Sequence, residues 1–127
     1  MPVLPLVLIV DDNDRNRKLA RDVLRAAGFG TLEAVTAAES IALASEHLPD
    51  LILMDLRLPD LDGTEAARML RAGPRTSGIP IVAVTALPLD ATEAWLADAG
   101  FAGHVVKPIE IETFPDVVRR FCARWSE

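Results

Sequence analysis

Residues 51–59 read Leu-Ile-Leu-Met-Asp-Leu-Arg-Leu-Pro, an apolar run that ends in an aspartate and meets a proline four residues later. A short, continuous apolar run bounded by a turn signal is typical of a buried β-strand. Asp55 would then stand at the carboxyl end of a central strand, where open α/β sheets bind their ligands. This stretch therefore predicts both the kind of sheet and the place of a candidate site.

Three further apolar runs also end in a charged or hydroxyl-bearing residue. They are residues 6–10 before Asp11 and Asp12, residues 81–84 before Thr85, and residues 103–106 before Lys107. The carboxyl ends of parallel strands meet at one edge of a sheet, so we expect these polar side chains to lie together. Each residue alone would usually be a cap, a turn residue or a surface side chain, and it is their combination that indicates a functional site.

Strand and helix patterns alternate along the whole chain. We predict strands near residues 6–10, 32–35, 51–54, 81–85 and 103–106, and helices near residues 14–27, 37–47, 63–72, 89–98 and 111–124. The central strands are apolar at every position, as in parallel sheets covered on both faces. Right-handed crossovers then give an α/β fold of three layers, a doubly wound (βα)5 sandwich.

Composition excludes several classes of protein. The chain has 127 residues, enough for one domain over residues 1–127, and its apolar half argues against disorder. Since no apolar run approaches 18 residues, we expect no membrane insertion. A net charge of −6 argues against direct nucleic-acid binding. The single cysteine, Cys122, rules out a disulfide framework within the chain and favours a cytoplasmic location.

The predicted sheet edge carries three acids and one lysine. Converging carboxylates repel one another, and a cation would relieve that repulsion. Mg²⁺ prefers oxygen ligands and typically takes one or two carboxylates together with phosphate oxygens, so Asp11, Asp12 and Asp55 suit it, with Mn²⁺ as an alternative ion. With Lys107 and the hydroxyl of Thr85, these acids predict a pocket for a divalent metal and a tetrahedral anion.

Taken together, these motifs resemble the receiver domain of two-component response regulators, the CheY-like family. The residues that carry the resemblance are Asp11-Asp12, Asp55 with Pro59 and Gly63, Thr85-Ala86, and Lys107-Pro108. Residues 10–16 also resemble small single-domain regulators related to the cell-cycle regulator DivK. The resemblance implies a flavodoxin-like fold with parallel sheet order 2-1-3-4-5.

The resemblance also implies a role for each site residue. Asp55 would accept a phosphoryl group from a phosphohistidine on a sensor histidine kinase or a histidine phosphotransfer protein. The metal would be held by Asp12, Asp11, Asp55 and the backbone carbonyl of Arg57. The phosphoryl group would be held by Lys107, Thr85 and the backbone N–H groups of Leu56 and Ala86. The bond before Pro108 would be cis, and the phosphorylated state would change contacts with a downstream effector protein.

His104 departs from the family pattern. Counting back three residues from Lys107 reaches the position where the family more often has Tyr or Phe. In the family, this aromatic residue moves together with the residue at the position of Thr85 when phosphorylation switches the domain between its two states. One interpretation treats the imidazole as a flat ring that rotates as the aromatic ring would. The other holds that His104 titrates near neutral pH and makes switching pH-sensitive. The sequence leaves both interpretations open.

Other functions fit the sequence less well. A phosphohydrolase of the haloacid dehalogenase type would want a second aspartate two residues after its nucleophile, where this chain has Arg57. The glycine motifs of P-loop and dinucleotide-binding proteins do not occur. A pseudo-receiver that works without phosphorylation usually loses an acid or the lysine, and this chain keeps them all. We therefore expect a phosphoacceptor rather than a turnover enzyme, in a single receiver domain without an output domain. A receiver excised from a longer regulator is the alternative.

Overall fold

A five-stranded, fully parallel β-sheet forms the centre of the computed structural model, which describes residues 4–86 and 96–122. Its strands are β1 (Leu6–Val10), β2 (Gly30–Ala34), β3 (Leu51–Asp55), β4 (Ile81–Thr85) and β5 (Gly103–Val106). They lie in the order β2-β1-β3-β4-β5. This arrangement confirms the predicted flavodoxin-like fold.

Helices cover both faces of the sheet. They are α1 (Asp14–Ala26), α2 (Ala37–His47), α3 (Gly63–Ala72) and the C-terminal helix (Phe114–Phe121), and residues 96–99 are also helical. None of the helices in the described parts of the chain has the length and hydrophobicity that crossing a bilayer requires.

Alternate residues of the central strands enter two separate hydrophobic clusters. One cluster joins the sheet to α2 and α3, and its strand residues include Leu8, Val10, Ile52, Met54, Ile81 and Ala83. The other joins the sheet to α1 and the C-terminal helix, and its strand residues are Val7, Ile9, Leu51, Leu53, Val82 and Val84. Because successive side chains of a strand point to opposite faces, a strand buried on both sides must be apolar throughout. That requirement explains the unbroken apolar runs of the sequence.

Two elements differ from the sequence prediction by more than one residue. Strand β2 begins at Gly30 rather than at residue 32, since Gly30 and Thr31 pair with Leu6 and Val7 of β1 although neither is strongly apolar. The C-terminal helix begins at Phe114 rather than at residue 111, with Pro115 in its first turn, and it ends at Phe121 rather than at residue 124. Residues 89–95 of the predicted fourth helix lie outside the described residues.

Helix α2 begins with a capping arrangement at Thr36 and Glu39. The Thr36 side chain accepts a hydrogen bond from the Glu39 N–H at 3.1 Å. The Glu39 carboxylate accepts from the Val35 N–H at 2.6 Å, one residue before the position that a standard capping box would use. Two additional acceptors come from Asp60, whose carboxylate oxygens lie 2.8 and 3.0 Å from the N–H groups of Ala37 and Ala38.

Candidate functional site

The polar residues that follow the strands do lie at one edge of the sheet. Asp55 and Thr85 are the last residues of β3 and β4, and both are buried. Asp11 and Asp12 directly follow β1, and Lys107 directly follows β5. Parallel pairing with little stagger between neighbouring strands brings these five residues to a common rim. Asp55, Asp12, Thr85 and Lys107 line one cavity of about 600 Å³.

The three aspartates are close enough to share a cation. One carboxylate oxygen from each of Asp11, Asp12 and Asp55 lies within 4.8 Å of the other two. Asp11 and Asp55 are buried, whereas Asp12 is exposed. Clustered carboxylate oxygens of this kind are the donors that hard divalent cations prefer. The donor set therefore fits Mg²⁺.

Lys107 connects two of these acids. Its Nζ lies 3.1 Å from Asp55 Oδ2 and 3.6 Å from Asp11 Oδ2. The second oxygen of Asp55, Oδ1, accepts a hydrogen bond from the Arg57 N–H at 3.0 Å. The Asp55 side chain is therefore oriented by the Lys107 ammonium at one oxygen and by the backbone N–H of Arg57 at the other.

Its surroundings disfavour the charged form of Asp11. Burial raises the pKa of its carboxyl above the ordinary value of 3.8, and the neighbouring Asp55 carboxylate raises it further. The N–H of Asn13, which donates to Asp11 Oδ1 at 2.8 Å, and the charge of Lys107 act in the opposite direction. A cation bound next to Asp11 would favour its charged form.

The loop that carries Lys107 is tied to the end of β4. The Lys107 N–H donates to the Thr85 carbonyl at 2.8 Å, one hydrogen bond beyond the last strand residues. The bond between Lys107 and Pro108 is cis. This hydrogen bond therefore fixes the separation between Thr85, which ends β4, and Lys107, which follows β5.

His104 lies away from the acidic cavity. It sits on β5 opposite Ala83, while Thr85 pairs with Val106, so Thr85 and His104 are diagonal neighbours on one face of the sheet. His104 is half-buried and lines a different cavity of about 260 Å³, together with Glu110, Thr113 and residues of the C-terminal helix. The structure therefore places the two predicted switch residues on one face of the sheet, and His104 lies outside the acidic cavity.

Several residues at the site were not predicted from the sequence. Asn13, Asn16 and Asp62 also line the acidic cavity. Asn13 and Asp62 are the N-caps of α1 and α3, with side chains that accept from the N–H groups of Asn16 and Thr64. The available signal was the position of these polar residues directly before predicted helices, which indicated caps and not their place at the site.

Comparisons with known proteins agree with this geometry. The family model described as the response regulator receiver domain matches residues 7–119. The polar-differentiation response regulator DivK of Brucella ovis is 36% identical over 115 residues, which cover 91% of this chain and 94% of DivK. The chain therefore belongs to the receiver domains of two-component response regulators, and its role is that of a phosphoacceptor in signalling.

Solved structures resemble the whole fold. The chemotaxis response regulator CheY4 of Vibrio cholerae is 26% identical with a TM-score of 0.88, covering 94% of this chain and 99% of CheY4. The receiver domain of the sensor histidine kinase PA1611 of Pseudomonas aeruginosa PAO1 is 29% identical with a TM-score of 0.82, covering 94% of this chain and 98% of that domain. That domain carries a magnesium ion coordinated in its active-site cleft.

The family also defines the general kind of activity. Receiver domains bind Mg²⁺ at an acidic pocket and act in signalling between histidine kinases and downstream effectors, generally without turning over an external substrate. The similarity to DivK confirms the resemblance seen in residues 10–16. These general properties do not specify which residues of this chain carry them out.

Proposed function

We propose that Asp55 is the phosphoacceptor of this receiver. The observation that carries the proposal is the position of the Asp55 carboxylate, at the end of a central strand and in contact with Lys107 at 3.1 Å. In the transfer, an Asp55 oxygen forms a bond to phosphorus as the bond between phosphorus and the donor imidazole breaks. The electron pair of that bond stays on the imidazole nitrogen, which then takes up a proton. Catalysis of such a step rests on positioning and charge neutralisation.

The metal of this reaction would be held by Asp11, Asp12, Asp55 and the backbone carbonyl of Arg57. Support comes from the three carboxylate oxygens within 4.8 Å of one another and from the raised pKa of Asp11. Mg²⁺, or Mn²⁺ in its place, supplies positive charge against the oxygens of a phosphoryl group. Both ions accept an all-oxygen donor set.

The other site residues bind the transferred group. Lys107 pairs with the carboxylate in the structure, and after transfer its ammonium would pair with the phosphoryl oxygens, which carry roughly two negative charges. The Thr85 hydroxyl and the N–H groups of Leu56 and Ala86 would donate the remaining hydrogen bonds. Thr85, Ala86 and Leu56 all line the same cavity as Asp55, which supports this assignment.

The partners and the response follow from the same chemistry. The phosphoryl donor would be a sensor histidine kinase or a histidine phosphotransfer protein in the cytoplasm, and the output would be altered contact with an effector protein. The switch would couple Thr85 to His104, and their diagonal placement on one sheet face supports that coupling. His104→Phe separates the two interpretations of the imidazole. A flat-ring role predicts an unchanged response, and a titrating role predicts that a pH dependence between about pH 6 and 8 disappears.

Intact-mass measurement during incubation with acetyl phosphate tests the proposal. Wild type with Mg²⁺ should gain one labile phosphoryl adduct, and removal of the metal with a chelator should abolish it. Asp55→Ala should gain none, whereas Asp116→Ala, which removes an exposed carboxylate of the C-terminal helix, should behave as wild type. A full adduct on Asp55→Ala, or unchanged labelling in the chelator, would show that the assignment is wrong.

A further inference from the structure

Arg17 on α1 reaches back to the acidic loop. Its side chain is only 14% exposed. Nη1 donates to the backbone carbonyl of Asp11 at 3.0 Å, Nε donates to Glu33 at 3.3 Å, and Nη2 donates to Asp14 at 2.6 Å. One guanidinium thus joins the loop after β1, the first turn of α1 and strand β2. A planar group with five N–H donors is suited to hold three acceptors in fixed directions.

The backbone of Asp11 is consequently held from both sides. Its N–H donates to the Ala34 carbonyl at the end of β2, at 3.1 Å. Its carbonyl accepts from Arg17, which is anchored in turn on Glu33, the neighbour of Ala34 in β2. Glu33 also accepts a hydrogen bond from Arg21 at 3.3 Å. The two hydrogen bonds of the Asp11 backbone, to Ala34 and to Arg17, fix the point from which the chain enters the Asp11–Asp12 loop.

We propose that Arg17 is a positioning residue for the cation site, which holds the Asp11–Asp12 loop in the geometry that Mg²⁺ requires. The inference rests on the proposed Mg²⁺ site and goes beyond it by assigning a function to a residue that does not touch the cavity acids' side chains. Groups that orient metal ligands commonly affect metal affinity strongly although they do not contact the metal.

Two effects of Arg17 on a cation have opposite signs. Its permanent positive charge repels Mg²⁺, so removing the charge alone would tighten binding. Its hydrogen bond to the Asp11 carbonyl holds the ligand loop, so removing that bond would weaken binding. The direction of the change therefore tells the two effects apart.

Calorimetric titration of Mg²⁺ into four proteins provides the test: wild type, Arg17→Lys, Arg17→Met and Arg21→Met. Arg17→Lys keeps the charge, but its compact ammonium cannot reproduce the fork that joins three acceptors. Arg21→Met is the matched control, because Arg21 carries the same charge on the next turn of α1 and also contacts Glu33. The hydrogen bonds of Arg21 go to Glu33 and Asp22 rather than to the Asp11 backbone.

We expect Arg17→Met and Arg17→Lys to raise the Mg²⁺ dissociation constant by about tenfold, the lower end of the range for groups that orient metal ligands. We expect Arg21→Met to bind Mg²⁺ as wild type does or slightly more tightly. Urea unfolding without metal measures stability separately, and if Arg17→Met does not fold, the charge-preserving Arg17→Lys decides. Binding as tight as wild type in Arg17→Lys, or equal weakening in Arg21→Met, would overturn the inference. No Mg²⁺ binding by wild type would instead contradict the proposed function.

Discussion

Replacing Gly63 with alanine should disturb the site through the backbone. Gly63 is the first residue of α3, and its N–H donates to the Leu56 carbonyl at 2.9 Å. A Cβ added at this position would lie 2.6 Å from the Asp55 carbonyl oxygen and 2.8 Å from Leu56 Cα. The helix therefore approaches the end of β3 as closely as it does because this residue has no side chain.

The expected loss of stability follows from these two distances. The Cβ must move from 2.6 Å to at least 3.0 Å from the carbonyl oxygen before the contact resembles any that real proteins show. Both obstacles are backbone atoms, so no rotation of a side chain can relieve them. Overpacking of this kind typically costs about 1–3 kcal/mol, and we expect Gly63→Ala to fall in that range. Because the displaced atoms belong to Asp55 and Leu56, phosphorylation should slow as well.

Urea unfolding and acetyl phosphate labelling measure the two effects. Gly78→Ala is the matched control, since a Cβ there would meet no heavy atom within 4 Å. That control should be neutral or slightly stabilising, because alanine restricts the unfolded chain. If Gly63→Ala is destabilised by less than about 0.5 kcal/mol, the usual spread of innocuous surface changes, then the close approach does not have the energetic weight given to it here.

Three further changes test other parts of the structure. Asp11→Asn should stabilise the protein near pH 7 without Mg²⁺, because the raised pKa of Asp11 means that its ionised form opposes folding. The advantage should fade as the pH falls through the raised pKa and should be gone below 3.8, where the carboxyl is protonated in the folded and the unfolded protein. Urea unfolding across pH would contradict this if the variant were less stable at pH 7. Leu48→Gly should raise the free energy of unfolding by about 0.5–1 kcal/mol, since relief of left-handed backbone outweighs the flexibility of glycine, and a decrease would refute this. Leu48 is the C-cap of α2 at φ 48° and is 45% exposed, so little packing is lost. Cys122 is fully buried and its burial raises the thiol pKa to about 11, so a disulfide reagent followed by absorbance should react slowly with the native protein and quickly in urea; rapid native labelling would contradict it.

The layered fold could be predicted from the sequence because burial on both faces leaves a simple pattern. The runs at 6–10, 51–54 and 81–84 are apolar at every position, and each lies in a strand of the sheet. The edge strand β2 is only half-buried along most of its length, so its pattern is weaker and its predicted start lies two residues too late. The strand order was implied by the family resemblance, since apolar runs alone do not specify which strands are neighbours.

The candidate site was predictable where topology alone brings residues together. Parallel strands place Asp55, Thr85 and Lys107 at the same edge whatever the surrounding side chains are. The contacts of Arg17 and Asp60 were missed because they depend on tertiary packing. Arg17 meets Glu33 across 16 residues of sequence, and Asp60 meets Ala37 across 23. An arginine in a helix and an aspartate in a loop give no local signal of partners at that distance.

The hydrogen bond from the Lys107 N–H to the Thr85 carbonyl has a mechanical consequence. It joins the ends of β4 and β5, which lie about 4.8 Å apart as neighbouring strands do in any sheet. The Thr85 hydroxyl and the Lys107 amine extend from these two ends. Each side chain can rotate about its own bonds, but the backbone of one residue cannot shift without straining its hydrogen bond to the other. A displacement of either strand end would therefore move the Thr85 hydroxyl and the Lys107 amine together.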